Sequence, residues 1–364
     1  MHAEAASHAR SGGTMNRRAW DSVRLCMMKI LTDVIDCCAM PAVALKRAPP
    51  ITFVLALITA AGSAQSSSLE RVGVVPVEAA ALGVSADRLV AAQGSSVQVV
   101  DLADPTTPRL LGRHDFEEPA FDLVIAPDGG AAYVANSHDG LRRLDLSDPS
   151  APAVTATSPT RGQAVGVAAA GPHLFVGDNS LGFDIVGGAG TGELARVGEY
   201  LGDGFPRGIA AGGSLVFVAD QPMGLVVVDV SDAAAPEAVG VLSLGRDPVG
   251  RVVAPDGRSL GGAAPAVVAI VSGRAGMQLV DVSDPAAPRV TAPVPVGGSA
   301  AGAAIWGERL YVASGETLEV FDVGDPEAPA RVASAALGGR GGALAVDEDH
   351  VFVAVEGNIV IYRR

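Results

Sequence analysis

Several things are scarce in this chain of 364 residues. Aromatic side chains make up only 4%, and there are three cysteines and two lysines. Cys26, Cys37 and Cys38, like Lys29 and Lys46, all precede residue 47. Whatever follows residue 64 therefore has neither a disulfide nor a thiolate, and neither Schiff-base lysine chemistry nor a Walker-type phosphate loop is open to it. Positive charge is also short, with 26 basic against 40 acidic residues and a net charge of −14, which excludes nucleic acid as a natural partner. Few aromatics beside 45 glycines and 24 prolines argue against an all-α chain and for many short strands joined by turns.

Residues 51–62 form an apolar run of 12, well short of the about 20 that a membrane-spanning helix needs but suited to the core of a signal peptide. Lys46 and Arg47 precede it, and Gly62-Ser63-Ala64 before Gln65 offers the small residues of a cleavage site. The order of these features predicts a signal peptide over 40–64, cleaved after Ala64, with 1–39 an upstream over-extension of the reading frame. The alternative is a genuine cytoplasmic N-terminal segment. No cysteine follows the apolar run to carry a lipid anchor, so a freely soluble secreted or periplasmic protein is expected. Its mature part, 65–364, would be one domain without a membrane span, with 19 arginines, no lysine and 36 acidic residues.

That mature part is repetitive. VQVVDLADPTTP (97–108), LRRLDLSDPSAP (141–152), LVVVDVSDAAAP (225–236), MQLVDVSDPAAP (277–288) and LEVFDVGDPEAP (318–329) are copies of one unit. Asp184 in LGFDIV and Arg363 in NIVIYRR complete the series as weaker copies. The period of roughly 40–45 residues is that of a four-stranded propeller blade. Within a unit, RGIAA, LVFVAD, GLVVVDV and EAVGVLSL read as four strands, with the two-residue alternation of sheets packed on both faces. Each Asp of the DxxDPxxP turn can bond its own backbone two residues on, which gives the recurring motif a structural role, with calcium binding by paired carboxylates as the lesser reading. The first strand carries glycine at 166, 208, 250, 302 and 342, with Ala81 and Asp122 in the two remaining units. Segment 69–77 matches a fourth strand and 358–364 a third, so the termini would share a blade and close an all-β, seven-bladed ring. Misparsing the weak copy at 181–200 would change the count to six or eight.

The strings LVVVDVSD and LVDVSDP resemble those of the LVIVD-repeat family, over residues 69–364. The resemblance implies an exported bacterial β-propeller, a scaffold of mostly unassigned function. The chain departs from the family pattern where GGAGTG (187–192) replaces the SDPxxP turn, and again near 258–266, where an insertion lengthens one unit.

In a propeller the loops between second and third strands and between blades share one face. The residues assigned there differ from blade to blade, as a single asymmetric site requires. The candidate ligand-binding set is Asp122, His114, His138, Asp139, Asp178, Asn179, Arg161, Arg207, Asp220, Arg246 and Arg340. Asp122 replaces the inner-strand glycine, so its carboxylate should lie in or near the channel, ringed by arginines able to grip an anionic or polyhydroxylated ligand. The competing reading is of solvated loop charges. No His-x-His, His-Glu-x-x-His or Gly-x-Ser-x-Gly spacing occurs, so neither a metal site nor a cofactor is expected. Two functions remain: a noncatalytic scaffold binding a protein, glycan or small molecule, or a propeller enzyme of lyase or lactone-hydrolase type using carboxylates and histidines at the channel mouth.

Overall fold

A computed structural model describes residues 67–364 other than 86, 180–181, 191, 245–249, 256, 258–261 and 272–275. The expectations for the signal peptide, for its cleavage site and for Arg246 fall outside the described residues.

Seven four-stranded antiparallel sheets follow one another as the blades of a propeller. Blades 1 to 6 span 81–115, 122–158, 164–201, 205–242, 251–294 and 300–336. Blade 7 takes Gly341–Val346, His350–Val355 and Asn358–Arg363 from the C-terminal end and Glu70–Val75 from the N-terminal end. Glu70 faces Arg363 and Val75 faces Ile359, so the closure expected from the two termini is present. Arg363 also pairs with Glu70 at 2.6 Å.

Second strands such as Leu215–Gln221 are buried almost throughout, because neighbouring blades cover both faces. Outermost strands such as Ala153–Ser158 alternate between exposed and covered. The core is accordingly divided among the blade boundaries. One cluster joins Val97 and Val99 of blade 1 to Val134 and Leu144 of blade 2. Another joins Phe175 and Ile185 of blade 3 to Val216 and Val228 of blade 4.

The DxxDPxxP turns are built as their sequence requires. Oδ1 of Asp101, Asp145, Asp229, Asp281 and Asp322 accepts the N–H two residues on at 2.8–3.0 Å. The second aspartates, Asp104, Asp148, Asp232, Asp284 and Asp325, repeat this at 2.9–3.1 Å. Each turn also leans on the blade before it. A Cβ on Gly73, Gly112, Gly198 or Gly240 of an outermost strand would overlap the carbonyl oxygen of Pro105, Pro149, Ala233 or Pro285 in the next blade's turn. Between blades 5 and 6, Ala292 N–H donates to the Pro326 carbonyl at 3.4 Å. On blade 6, Ser67 and Ser68 of the N-terminal segment pair with Ala333 and Ser334 of the outermost strand.

Register corrects one reading of the repeat. Leu215 faces Asp229 in blade 4, and the equivalent His173 of blade 3 faces Gly187. Gly187 therefore holds the place of the shared aspartate, evenly spaced between Asp145 and Asp229. Asp184 lies opposite Val176 in mid-strand, where blade 4 has Val226 opposite Val218. The aspartate in FDIV resembles the repeat's Asp only because both follow large apolar residues.

Candidate functional site

The face carrying the blade connections and the second-to-third-strand turns differs from blade to blade. At its centre Asp122 begins the innermost strand of blade 2, opposite Ala135. Its Oδ2 accepts the Val167 N–H of blade 3 at 3.2 Å. A strand with a free edge leaves backbone donors unpaired, and this carboxylate supplies an acceptor for one of them. Burial pushes the Asp122 pKa up, and Arg251 of blade 5 and the Val167 N–H oppose the shift.

Arg251, absent from the candidate set, is the cation that acts on Asp122. It lies opposite Val271 in the innermost strand of blade 5, beside Gly208, whose missing side chain lets the Arg251 backbone approach. Of the described arginines expected to ring Asp122, two have side chains engaged elsewhere. Arg161 pairs with Glu199, and Arg207 Nε donates to Gln221 Oε1 at 3.2 Å. Arg340 is exposed, and its backbone N–H donates to Glu356 Oε1 at 3.1 Å.

Two other expected residues, Asp178 and Asp220, sit at register-equivalent positions at the ends of second strands. Asp178 faces Ala164 and Asp220 faces Pro206, as Ser314 faces Ala300. With Asn136, which follows Ala135, all four are buried. Asn136 shows what the position does: its Nδ2 donates to the carbonyls of Glu118 at 2.7 Å and Pro119 at 3.1 Å, tying the connection from blade 1 to blade 2. Asp220 lies against Gly204 of the blade 3–4 connection, where a Cβ would overlap Oδ1. Burial pushes the Asp220 pKa up, Asp203 adds to the rise, and the Met223 N–H opposes it. Asp220 thus packs beneath the blade 3–4 connection.

The histidines do not join them. His114 is on the outermost strand of blade 1, opposite Val97, and a four-stranded blade is about 14 Å from inner to outer strand. Its Nδ1 donates to the Pro152 carbonyl at 3.1 Å, and its ring meets Phe116 edge-on. His138 and Asn179 are exposed in second-to-third-strand turns, and Asp139 is paired with Arg142 at 2.7 Å. Among the described residues, no group of three or more His, Cys, Asp or Glu could hold a metal ion.

Sequence reasoning also missed the apolar residues of this face. Phe121, 39% exposed, precedes Asp122; Phe205, 50% exposed, begins blade 4; and Leu201, 55% exposed, ends blade 3. A separate groove of about 420 Å³ lies at the boundary of blades 2 and 3, with Thr157, Ser158 and Arg161 on one side and Leu194 and Arg196 on the other.

The LVIVD repeat family matches the chain at three places, residues 124–159, 203–242 and 297–335. The chain carries LVIVD repeats at these three places. The matched stretches fall in blades 2, 4 and 6, and the expected resemblance thus rests on alternate blades of one ring. No curated protein matches this LVIVD-repeat chain. A solved structure described as "Crystal Structure of Mitotic Checkpoint Complex" is similar in fold, with a TM-score of 0.65 and 13% identity over 81% of this chain and 96% of that one. At that identity the likeness concerns the fold alone. Among the described residues of the LVIVD-repeat propeller, no helix is long and apolar enough to cross a membrane.

Proposed function

We propose that this LVIVD-repeat propeller is an exported, noncatalytic scaffold that binds a partner protein on the face bearing Phe121, Leu201 and Phe205. The observation that carries this reading is the exposure of two phenylalanines on one face of a chain with 4% aromatics. Each exposed ring leaves apolar surface in water, and aromatic residues are enriched where partner surfaces desolvate each other. Phe205 begins an innermost strand and Phe121 immediately precedes one, so the rigid ring fixes their positions before a partner arrives. That pre-organisation lowers the ordering cost of association. Asp122 and Arg251 add a polar centre to the same face, where opposite charges orient a partner more than they tighten it. Export is supported by the order of basic, apolar and small residues before Gln65, and N-terminal sequencing of exported protein tests it.

The binding reading is tested by capture from the exported fraction with the full chain and with a Phe121→Ser/Phe205→Ser variant. Neither ring belongs to the core clusters, so the variant is expected to melt like the parent while losing the captured partner. A variant that captures the same partner to the same extent would overturn the assignment of this face.

A further inference from the structure

The boundary between blades 2 and 3 differs from the other six. At five boundaries the third-to-fourth-strand turn of one blade touches the outermost strand of the blade before it. On blade 6 the N-terminal Ser67–Ser68 lies along that strand. Blade 3 has GGAGTG (187–192) where such a turn would stand, and the groove of about 420 Å³ opens at this boundary. Its volume is within the range of small-molecule sites, about 300–1,000 Å³.

We infer that the groove binds a hydroxylated carboxylate the size of a single sugar acid. Two guanidinium groups meet there on one carboxylate: Arg161 pairs with Glu199, and Arg196 reaches Glu199 Oε2 at 3.2 Å. Arg196 is held from behind by the buried Asp184, at 3.1 Å. Glu199 thus stands where a ligand carboxylate would be gripped, and the exposure of Arg161 and Arg196, with Glu199 itself half-buried, lets it be displaced.

The hydroxyl groups beside the arginines are complementary in sense. Thr157 Oγ1 accepts from Arg142 at 3.1 Å and keeps its O–H to donate. Thr160 Oγ1 donates to the Gly162 carbonyl at 2.8 Å and keeps its lone pairs to accept. A sugar hydroxyl both donates and accepts, and Leu194 gives an apolar wall for the C–H face of the ring. This site uses neither phenylalanine, so it stands or falls independently of the partner-binding reading.

Titration of the full chain with glucuronate at low ionic strength, read by calorimetry, tests the inference, with glucose and sulfate as comparison probes. Saturable glucuronate binding is expected, weakened at least tenfold by Arg161→Gln and tightened severalfold by Glu199→Gln, which removes the internal competitor. Arg161 is exposed and Glu199 half-buried, and an unchanged melting temperature separates loss of binding from loss of fold. Absence of binding in both the parent and Glu199→Gln would overturn the proposal. Equal affinity for glucose would refute the charge argument, equal affinity for sulfate the hydroxyl argument, and an unaffected Arg161→Gln the placement.

Discussion

Asp122 illustrates what one residue out of step with its repeat does to a protein. Glycine at the equivalent place lets adjacent innermost strands approach, as at Gly302, where a Cβ would overlap the Gly342 carbonyl oxygen. The carboxylate instead reaches across to Val167 and is held in surroundings that raise its pKa. A carboxyl whose pKa is raised on folding contributes stability that is complete below its unfolded value and is lost as pH rises through the folded value. Asp122→Asn keeps an acceptor for Val167 and removes the buried charge. It is therefore expected to be more stable than the parent at pH 7, with the difference vanishing below about pH 4. Urea melts at both pH values check this, and a variant less stable than the parent at pH 7 would contradict it.

The turn aspartates have the opposite sign. Backbone N–H groups lead in holding Asp101 and Asp145 below the usual carboxylate range. Their contribution is present above that range and is lost as pH falls through the lowered value. Gly198 offers a plain steric test. Gly198→Ala would force a methyl onto the Ala233 carbonyl and is expected to cost about 1–3 kcal/mol, whereas Gly257→Ala meets open space and should be nearly neutral. Chemical denaturation of the two variants compares them directly.

At the scale of the element, the strands and DxxDPxxP turns could be read from the chain because their causes are local. An aspartate bonding its own backbone two residues on needs no distant partner, and alternation within a strand states which side faces a neighbour. The candidate site was less legible. Arg251 acts on Asp122 from three blades away, across about 130 residues of chain, and no local pattern announces such a pair. Asp178 and Asp220 read locally as loop residues, although the register they share with Asn136 is available from the repeat: each follows the apolar run of a second strand. That regularity marks an anchoring role. Asn136→Ala should therefore cost about 1–3 kcal/mol by releasing the Glu118 and Pro119 carbonyls, a loss measurable by thermal unfolding. If its stability equals the parent's, the anchoring role is wrong.

The whole molecule is a ring whose core is shared among boundaries, so opening one boundary exposes two blades at once. The N-terminal strand Glu70–Val75 closes blade 7, and Val75 and Val77 are buried with Ile359 and Ile361. Arg364, after the last strand, ties blade 7 to blade 6: its Nε donates to Tyr311 Oη at 2.8 Å, and its guanidinium lies 5.5 Å from the Trp306 ring centre. Removing residues 65–78 should cost at least about 3 kcal/mol from lost valine burial alone, and a truncated chain with the parent's melting temperature would contradict closure.

Repetition builds this ring, and the residues that break the repeat give its faces different chemistry. On that account the face with Phe121 and Phe205 meets the partner and the DxxDPxxP face does not. A photo-crosslinking amino acid placed at Phe205, and separately at Asp232 in a turn of the opposite face, tests this in the exported fraction. The expected result is a discrete crosslinked species from position 205 alone; the same species from position 232, or from neither, would contradict the account.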